Sequence, residues 1–182
     1  MNNISLIPLA RQRHAEALQA VYREAQDYWE MYNLPASPRK QAALDLKAAE
    51  DTPGRTMMGV VHLTEDAAGT PGVEMIGVVD FRLHWPGEHV AYIGMVMVIE
   101  SLRRQGVGSQ AWRLLESWLA RDADIYTARC GIEQFNPGAL RFFQSLGFHL
   151  TGEANRLQVG DKFVRLLYME KKLEVGKKKI ED

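Results

Sequence analysis

The chain has 182 residues, 46% of them hydrophobic and 25% charged, with a formal net charge of −1. That length suits one domain around one core, the apolar content argues against a disordered chain, and the near-zero charge supplies no global field for nucleic acid or an anionic membrane. A single cysteine, Cys130, excludes an internal disulfide and a cysteine-cluster metal site, and the histidines (His14, His62, His84, His89, His149) form no helical pair at ligand spacing, so no metal is expected.

The opening Met1-Asn2-Asn3-Ile4 lacks the charged-then-apolar pattern of a signal peptide, and no apolar run approaches the roughly 20 residues of a membrane span. A cytoplasmic protein is the expectation. Ile4 to Leu9 reads as a strand. After it Leu18, Val21, Tyr22, Ala25, Tyr28, Trp29 and Tyr32 recur at three- and four-residue spacing, which predicts one long helix with an apolar stripe. Ser37 before Pro38 predicts a capped second helix from Pro38 to about Ala49, stopped by Pro53-Gly54.

The texture then becomes β-rich. Met57 to Leu63 and Val73 to Leu83, around a Gly69 to Gly72 turn, read as a hairpin, and Trp85-Pro86-Gly87-Glu88 makes another turn. Val90 to Ile99 is apolar on both faces, as a central covered strand is. A helix follows from near Gly106, with Val107, Ala111, Leu114, Leu115, Trp118 and Leu119 inward. Ile125 to Ile132 is the next strand, placing Cys130 as a buried small hydrophobe. Asn136-Pro137 opens a helix striped by Ala139, Leu140, Phe143 and Leu146, with Gly147 as its stop. Strands His149 to Leu157 and Lys162 to Met169 flank a Gly160-Asp161 turn, and the mixed-charge end, Lys177 to Asp182, reads as a solvated tail.

Chemistry concentrates between the central strand and the helix after it. Arg103-Arg104-Gln105-Gly106-Val107-Gly108 precedes a helix with Ser109 in its first turn. Unpaired amides and the positive dipole end make such a start an anion site, glycines let a ligand reach the bare backbone, and the arginines add forked donors. A pyrophosphate-bearing ligand is the expectation, against a plain tight turn. Gly106-x-Gly108-x-x-Ala111 also satisfies the dinucleotide fingerprint, but polar residues after Ile99 and the antiparallel hairpins before it do not suit a parallel βαβ unit.

The stretch from Ile93 through Gly108 resembles motif A, Gln/Arg-x-x-Gly-x-Gly/Ala, of the GNAT superfamily of acetyl-CoA-dependent N-acetyltransferases, with Glu100 standing where many members carry proline. Asn136-x-x-Ala139-x-x-Phe142-Phe143-x-x-x-Gly147-Phe148 resembles its motif B. The resemblance implies an α/β (α+β-like) fold, a single GNAT-type domain over residues 1–173 with a charged tail over 174–182. Its central sheet is mixed and mostly antiparallel, of about six to seven strands, flanked by about four helices. It also implies that backbone groups of Val96, Met97 and Val98 pair with the pantetheine arm of acetyl-CoA, that the amides from Arg103 to Ser109 hold the pyrophosphate, and that Asn136 contacts the cofactor. Independently, Asn136 reads as a helix cap.

The implied reaction is direct attack of a primary amine on the thioester. The family's usual general acid, a tyrosine seven residues after the motif-B asparagine, is Phe143 here, and Tyr126 and Tyr168 are the conceivable substitutes. The position of the family's occasional basic glutamate is Tyr92, a poor base at neutral pH, which leaves Asp80 as the better base candidate, ahead of Glu88 and His84. Asp80 either faces solvent or has a role in the site. Tyr28, Trp29 and Tyr32 read either as core packing or as a wall of the acceptor pocket. Phe143 also motivates a rival, a non-catalytic acyl-CoA-binding sensor. The expected partner is an amine substrate rather than nucleic acid or membrane, and a homodimer is an open assembly.

Overall fold

The computed structural model describes residues 4–65, 71–121, 123–159 and 161–174. Strand β1 (Ile4–Pro8) leads into α1 (Arg11–Arg23), α2 (Gln26–Glu30) and α3 (Gln41–Asp51), followed by β2 (Arg55–Glu65), β3 (Pro71–Leu83) and β4 (Val90–Val98). A single 3-10 turn (Glu100–Leu102) precedes α4 (Val107–Arg121), then β5 (Thr127–Glu133), α5 (Pro137–Ser145), β6 (His149–Val159) and β7 (Lys162–Lys172). The described strands form one seven-stranded sheet in the order β1-β2-β3-β4-β5-β7-β6. Every pairing is antiparallel except β4 with β5. The expected architecture is therefore present, with five α-helices among the described residues.

Helices cover both faces, which explains why β3 is buried from Ile76 to Phe81 without alternation. Phe81 meets Trp118 of α4, its ring 5.9 Å away, whereas Asp80 is directed among the polar groups beside Tyr22 of α1. The α4 stripe differs from the expected one. Val107, Ala111, Trp112, Leu115 and Leu119 are the buried positions, while Leu114 and Trp118 are 41% and 39% exposed at its flank. Trp112, wide enough to reach the core from the side, moves the buried stripe around the helix.

Two further expectations give way to tertiary contacts. The long first helix breaks at Glu24-Ala25, with no proline or glycine, because the Glu24 carbonyl accepts a hydrogen bond from the Glu100 amide (3.2 Å) across the molecule. The next helix starts at Gln41 rather than Pro38, after Lys40 in a left-handed conformation (φ 65°). Its first turn is satisfied from α1, whose Gln19 side chain accepts from the Ala42 amide (3.1 Å) and donates to the Pro38 carbonyl (3.2 Å). Gly147 holds as the stop of α5. At φ 90° it lets the Phe148 amide reach the Phe143 carbonyl (3.0 Å) and its own amide reach that of Gln144 (3.0 Å), and the Phe143 and Phe148 rings meet at 5.0 Å.

Pro71 and Gly72, expected in a turn, belong to β3; the rest of that turn, Gly160, and the tail from residue 175 onward lie outside the described residues. Cys130 is buried as expected, and burial pushes its thiol up to about 12, which suits packing rather than nucleophilic chemistry.

Candidate functional site

The single parallel pairing creates the site. β4 and β5 are paired only from Val90↔Thr127 to Ile93↔Cys130, after which β5 continues against β7 while β4 runs on to Val98 with that edge open. A bulge sits where they part, because Asp80 opposes Met95 and Phe81 opposes Ile93, leaving Gly94 as the extra residue on β4. Beyond it the strand's other edge is taken by β3. The Ile99 amide donates to Ile76 (2.9 Å), and the Met97 carbonyl points at Gly77, where any β-carbon would collide with it. By strand alternation, Val96 and Val98, and not Met97, therefore present main-chain groups on the open edge. The Val98 carbonyl is already taken by Arg103 Nε (2.8 Å).

The open edge lines a cavity of about 730 Å³ that ends at the start of α4. Arg104 and Gly106 both take left-handed conformations (φ 58° and 83°), turning the chain sharply into the helix. The first bond into α4 runs from the Gln110 amide to the Gly106 carbonyl (2.9 Å), so the amides of Val107, Gly108 and Ser109 have no acceptor four residues back. A β-carbon at Gly106 would meet nothing within 4 Å, and one at Gly108 would stand 3.3 Å from the Phe142 ring. Donors therefore converge on space that only small residues leave clear.

The cavity gathers most of the predicted cofactor residues: Val96, Met97, Val98, Arg103, Arg104, Gly106, Gly108, Ser109 and Asn136. Val107 is buried in the core instead, and Gln105 is exposed with its amide on the Ser101 carbonyl (2.8 Å). Asn136 caps α5, accepting from the Ala139 amide (3.0 Å), so its cap role and its place in the cavity wall coexist. Arg103, in the cavity lining as expected, also makes a contact that the sequence did not announce. Its guanidinium pairs with Asp27 of α2 as well as with Val98, fastening the short helix to the end of the central strand. Phe142 of the motif-B stretch also lines the cavity, as do Asp27, Met31, Gly138 and Arg141, which escaped the sequence reading. Gly138, Arg141 and Phe142 share one face of α5 at three- and four-residue spacing, which helical periodicity makes readable; Asp27 was not readable, because its place depends on the break at Glu24.

The catalytic and acceptor candidates divide. Asp80 is 6% exposed and does not line the cavity; Arg55 Nε and Nη2 hold its two oxygens at 3.0 and 2.6 Å. Burial pushes this carboxyl above its ordinary value, with the Arg55 hydrogen bonds pulling the other way. Tyr92 packs its hydroxyl against Gly131 and its ring against Trp85 (4.9 Å), and burial raises its phenol to about 12, which removes it further from service as a base. Trp29 is core, 6% exposed, with its indole N–H donating to the Tyr22 carbonyl (2.7 Å). Tyr28 lines the cavity, and Tyr32 stands behind it, donating to Glu133 at the end of β5 (2.6 Å). Burial is the main cause raising both phenols.

A smaller groove of about 310 Å³, between β1 and α4, is lined almost entirely by apolar side chains such as Leu6, Met58, Leu114 and Trp118, and offers no converging donors. Among the described residues no three His, Cys, Asp or Glu side chains gather to hold a metal, and no helix is long and apolar enough to cross a membrane.

The profile of the acetyltransferase (GNAT) family matches residues 18–148. The chain belongs to the GNAT acetyltransferase family. Among solved structures, an acetyltransferase from Thermus thermophilus superposes with a TM-score of 0.72 at 20% identity, over 95% of this chain and 100% of that one. A probable GNAT-family acetyltransferase from Chromobacterium violaceum gives 0.75 at 20% identity, over 93% and 82%. The ribosomal-protein-S18-alanine N-acetyltransferase from Escherichia coli gives 0.65 at 14% identity, over 97% and 98%. At these identities the likeness is one of fold. No curated protein matches the sequence.

Proposed function

We propose that this GNAT-family protein transfers an acetyl group from acetyl-CoA to a primary amine by direct attack. The observation that carries the reading is the open edge of β4, which lines one cavity from Val96, beyond the bulge at Gly94, to the start of α4 with its unpaired amides. A ligand with an amide-bearing arm and a pyrophosphate matches that sequence of donors. Free main-chain groups of Val96 and the Val98 amide would take the arm as an added strand, and the amides of Val107 to Ser109, with Arg104, the phosphates.

The chemistry needs an unprotonated amine, a stabilised oxyanion and a protonated leaving thiol. An amide on the open edge, at Val96 or Val98, is the natural oxyanion donor. Tyr28, with Tyr32 and Glu133 behind it, forms the wall from which the acceptor enters; Asp80, paired with Arg55, lies outside the cavity lining and reaches Tyr28 only through its charge. The absence of a hydroxyl on Phe143, which lines the same cavity, favours one rival, a sensor that binds acyl-CoA without turnover.

Thiol release from acetyl-CoA, followed across a panel of small amines and peptides with free N-termini, separates the two. Acetyl transfer predicts amine-dependent release well above the rate of hydrolysis for at least one acceptor. Tight coenzyme A binding with no amine-dependent release from any acceptor would establish the sensor.

A further inference from the structure

We propose that Tyr28 is the proton donor to the departing thiolate, supplying from α2 the hydroxyl that Phe143 lacks on α5. The inference rests on the acetyl-transfer reading above. Tyr28 and Phe143 line one cavity together with Val96 and Val98, so the cavity whose α5 wall carries a phenylalanine has a tyrosine in its α2 wall. The remaining tyrosines are committed elsewhere. Tyr22 donates to Asp45 (2.8 Å), Tyr126 to Asp124 (2.6 Å), and the Tyr168 hydroxyl accepts from Asn155 (2.9 Å) beneath Arg129, while Tyr92 lies against Gly131. Tyr32 is turned to Glu133.

Tyr28 is held as a reacting group must be. Its ring stands edge-on to Trp29 at 5.0 Å and tilts against Tyr32 at 5.3 Å, and the two phenols interact. The helix that carries it is fastened at Asp27 by Arg103, and the kink before it is fixed by the Glu24 carbonyl on the Glu100 amide. Burial keeps the phenol protonated at neutral pH, and the contact with Tyr32 eases release of its proton. In the step itself, the amine nitrogen forms its bond to the thioester carbon and the tetrahedral intermediate collapses. The C–S bond then breaks with its electron pair on sulfur, and sulfur takes the Tyr28 proton. The phenolate recovers a proton, through solvent, from the nitrogen that has become the amide, so the net transfer is from nitrogen to sulfur.

Tyr28→Phe removes only the hydroxyl and keeps the ring packing. In the full-length chain, with the best acceptor from the amine panel, kcat is expected to fall at least tenfold while coenzyme A affinity by calorimetric titration stays within twofold. Adding Phe143→Tyr, which returns a hydroxyl to the same cavity, is expected to recover most of the lost rate. Turnover within threefold of wild type in Tyr28→Phe overturns the inference, as does a loss matched by weaker coenzyme A binding or one that a folded double variant leaves unrescued. A wild-type chain that acetylates no amine takes the functional reading down with it, whereas preserved turnover in Tyr28→Phe removes this assignment alone.

Discussion

On the donor side of the cavity the shaping contacts are close in sequence. Asn136 caps a helix through an amide three residues away, Arg103 reaches back five residues to the Val98 carbonyl, and Gln110 closes the first turn of α4 on Gly106. On the acceptor side they are remote: Tyr32 meets Glu133 across 101 residues, and Asp27 meets Arg103 across 76. The first side is a run of local backbone geometry that offers main-chain groups; the second is a set of side chains delivered by packing. Changes on the two sides therefore have different signatures.

The largest effect is expected on the donor side. Gly108→Val places a branched side chain against Phe142 in the space before the α4 amides, and coenzyme A affinity by titration is expected to fall at least a hundredfold, about 3 kcal/mol. Affinity unchanged within threefold would mean that the α4 amides do not face the ligand.

Outside the cavity lining, Asp80→Asn leaves a partly buried Arg55 without its counter-charge, and urea unfolding is expected to show a loss of about 2 kcal/mol, less than for a fully buried pair because Arg55 reaches solvent. The same variant tests the base assignment. Retained turnover makes Asp80 a packing and pairing residue, whereas a collapse of kcat with unchanged stability restores it as a base.

Arg103→Ala joins the two sides and discriminates most finely between them. With α2 unfastened, kcat/KM for the amine is expected to fall about tenfold, roughly 1.4 kcal/mol, while coenzyme A affinity changes less than threefold. The opposite pattern, with affinity lost and the amine parameters kept, would make Arg103 a phosphate ligand.

The donor side was legible because its chemistry resides in residue types that the backbone itself demands. Gly106 and Gly147 are glycines because the chain turns through positive φ there, and Asn136-Pro137 is a cap because a helix start needs an acceptor and tolerates an imide. Strand membership was legible from apolar runs, and the α5 stripe from its period. Ser37-Pro38 misled for the same reason in reverse: a sound local cap signal yields when Gln19, from another helix, satisfies the first turn three residues later. Leu114 and Trp118 misled because apolar spacing reports a face only to within a residue or so, and the bulk of Trp112 decided which side turned inward.

What the sequence determined by itself is the order of strands and helices, the glycine-marked start of α4 with its unpaired amides, the capped α5 behind it, and through these the family. Each depends on contacts within a few residues, where composition and spacing translate directly into backbone conformation. Only the tertiary structure decided that β4 parts from β5 after Ile93, that the first helix breaks at Glu24, and that Arg103 holds α2 while Tyr28 faces the cavity. Those arrangements come from hydrogen bonds and ring contacts between segments far apart in the chain, and no local pattern encodes which distant carbonyl, carboxylate or phenol a side chain will meet.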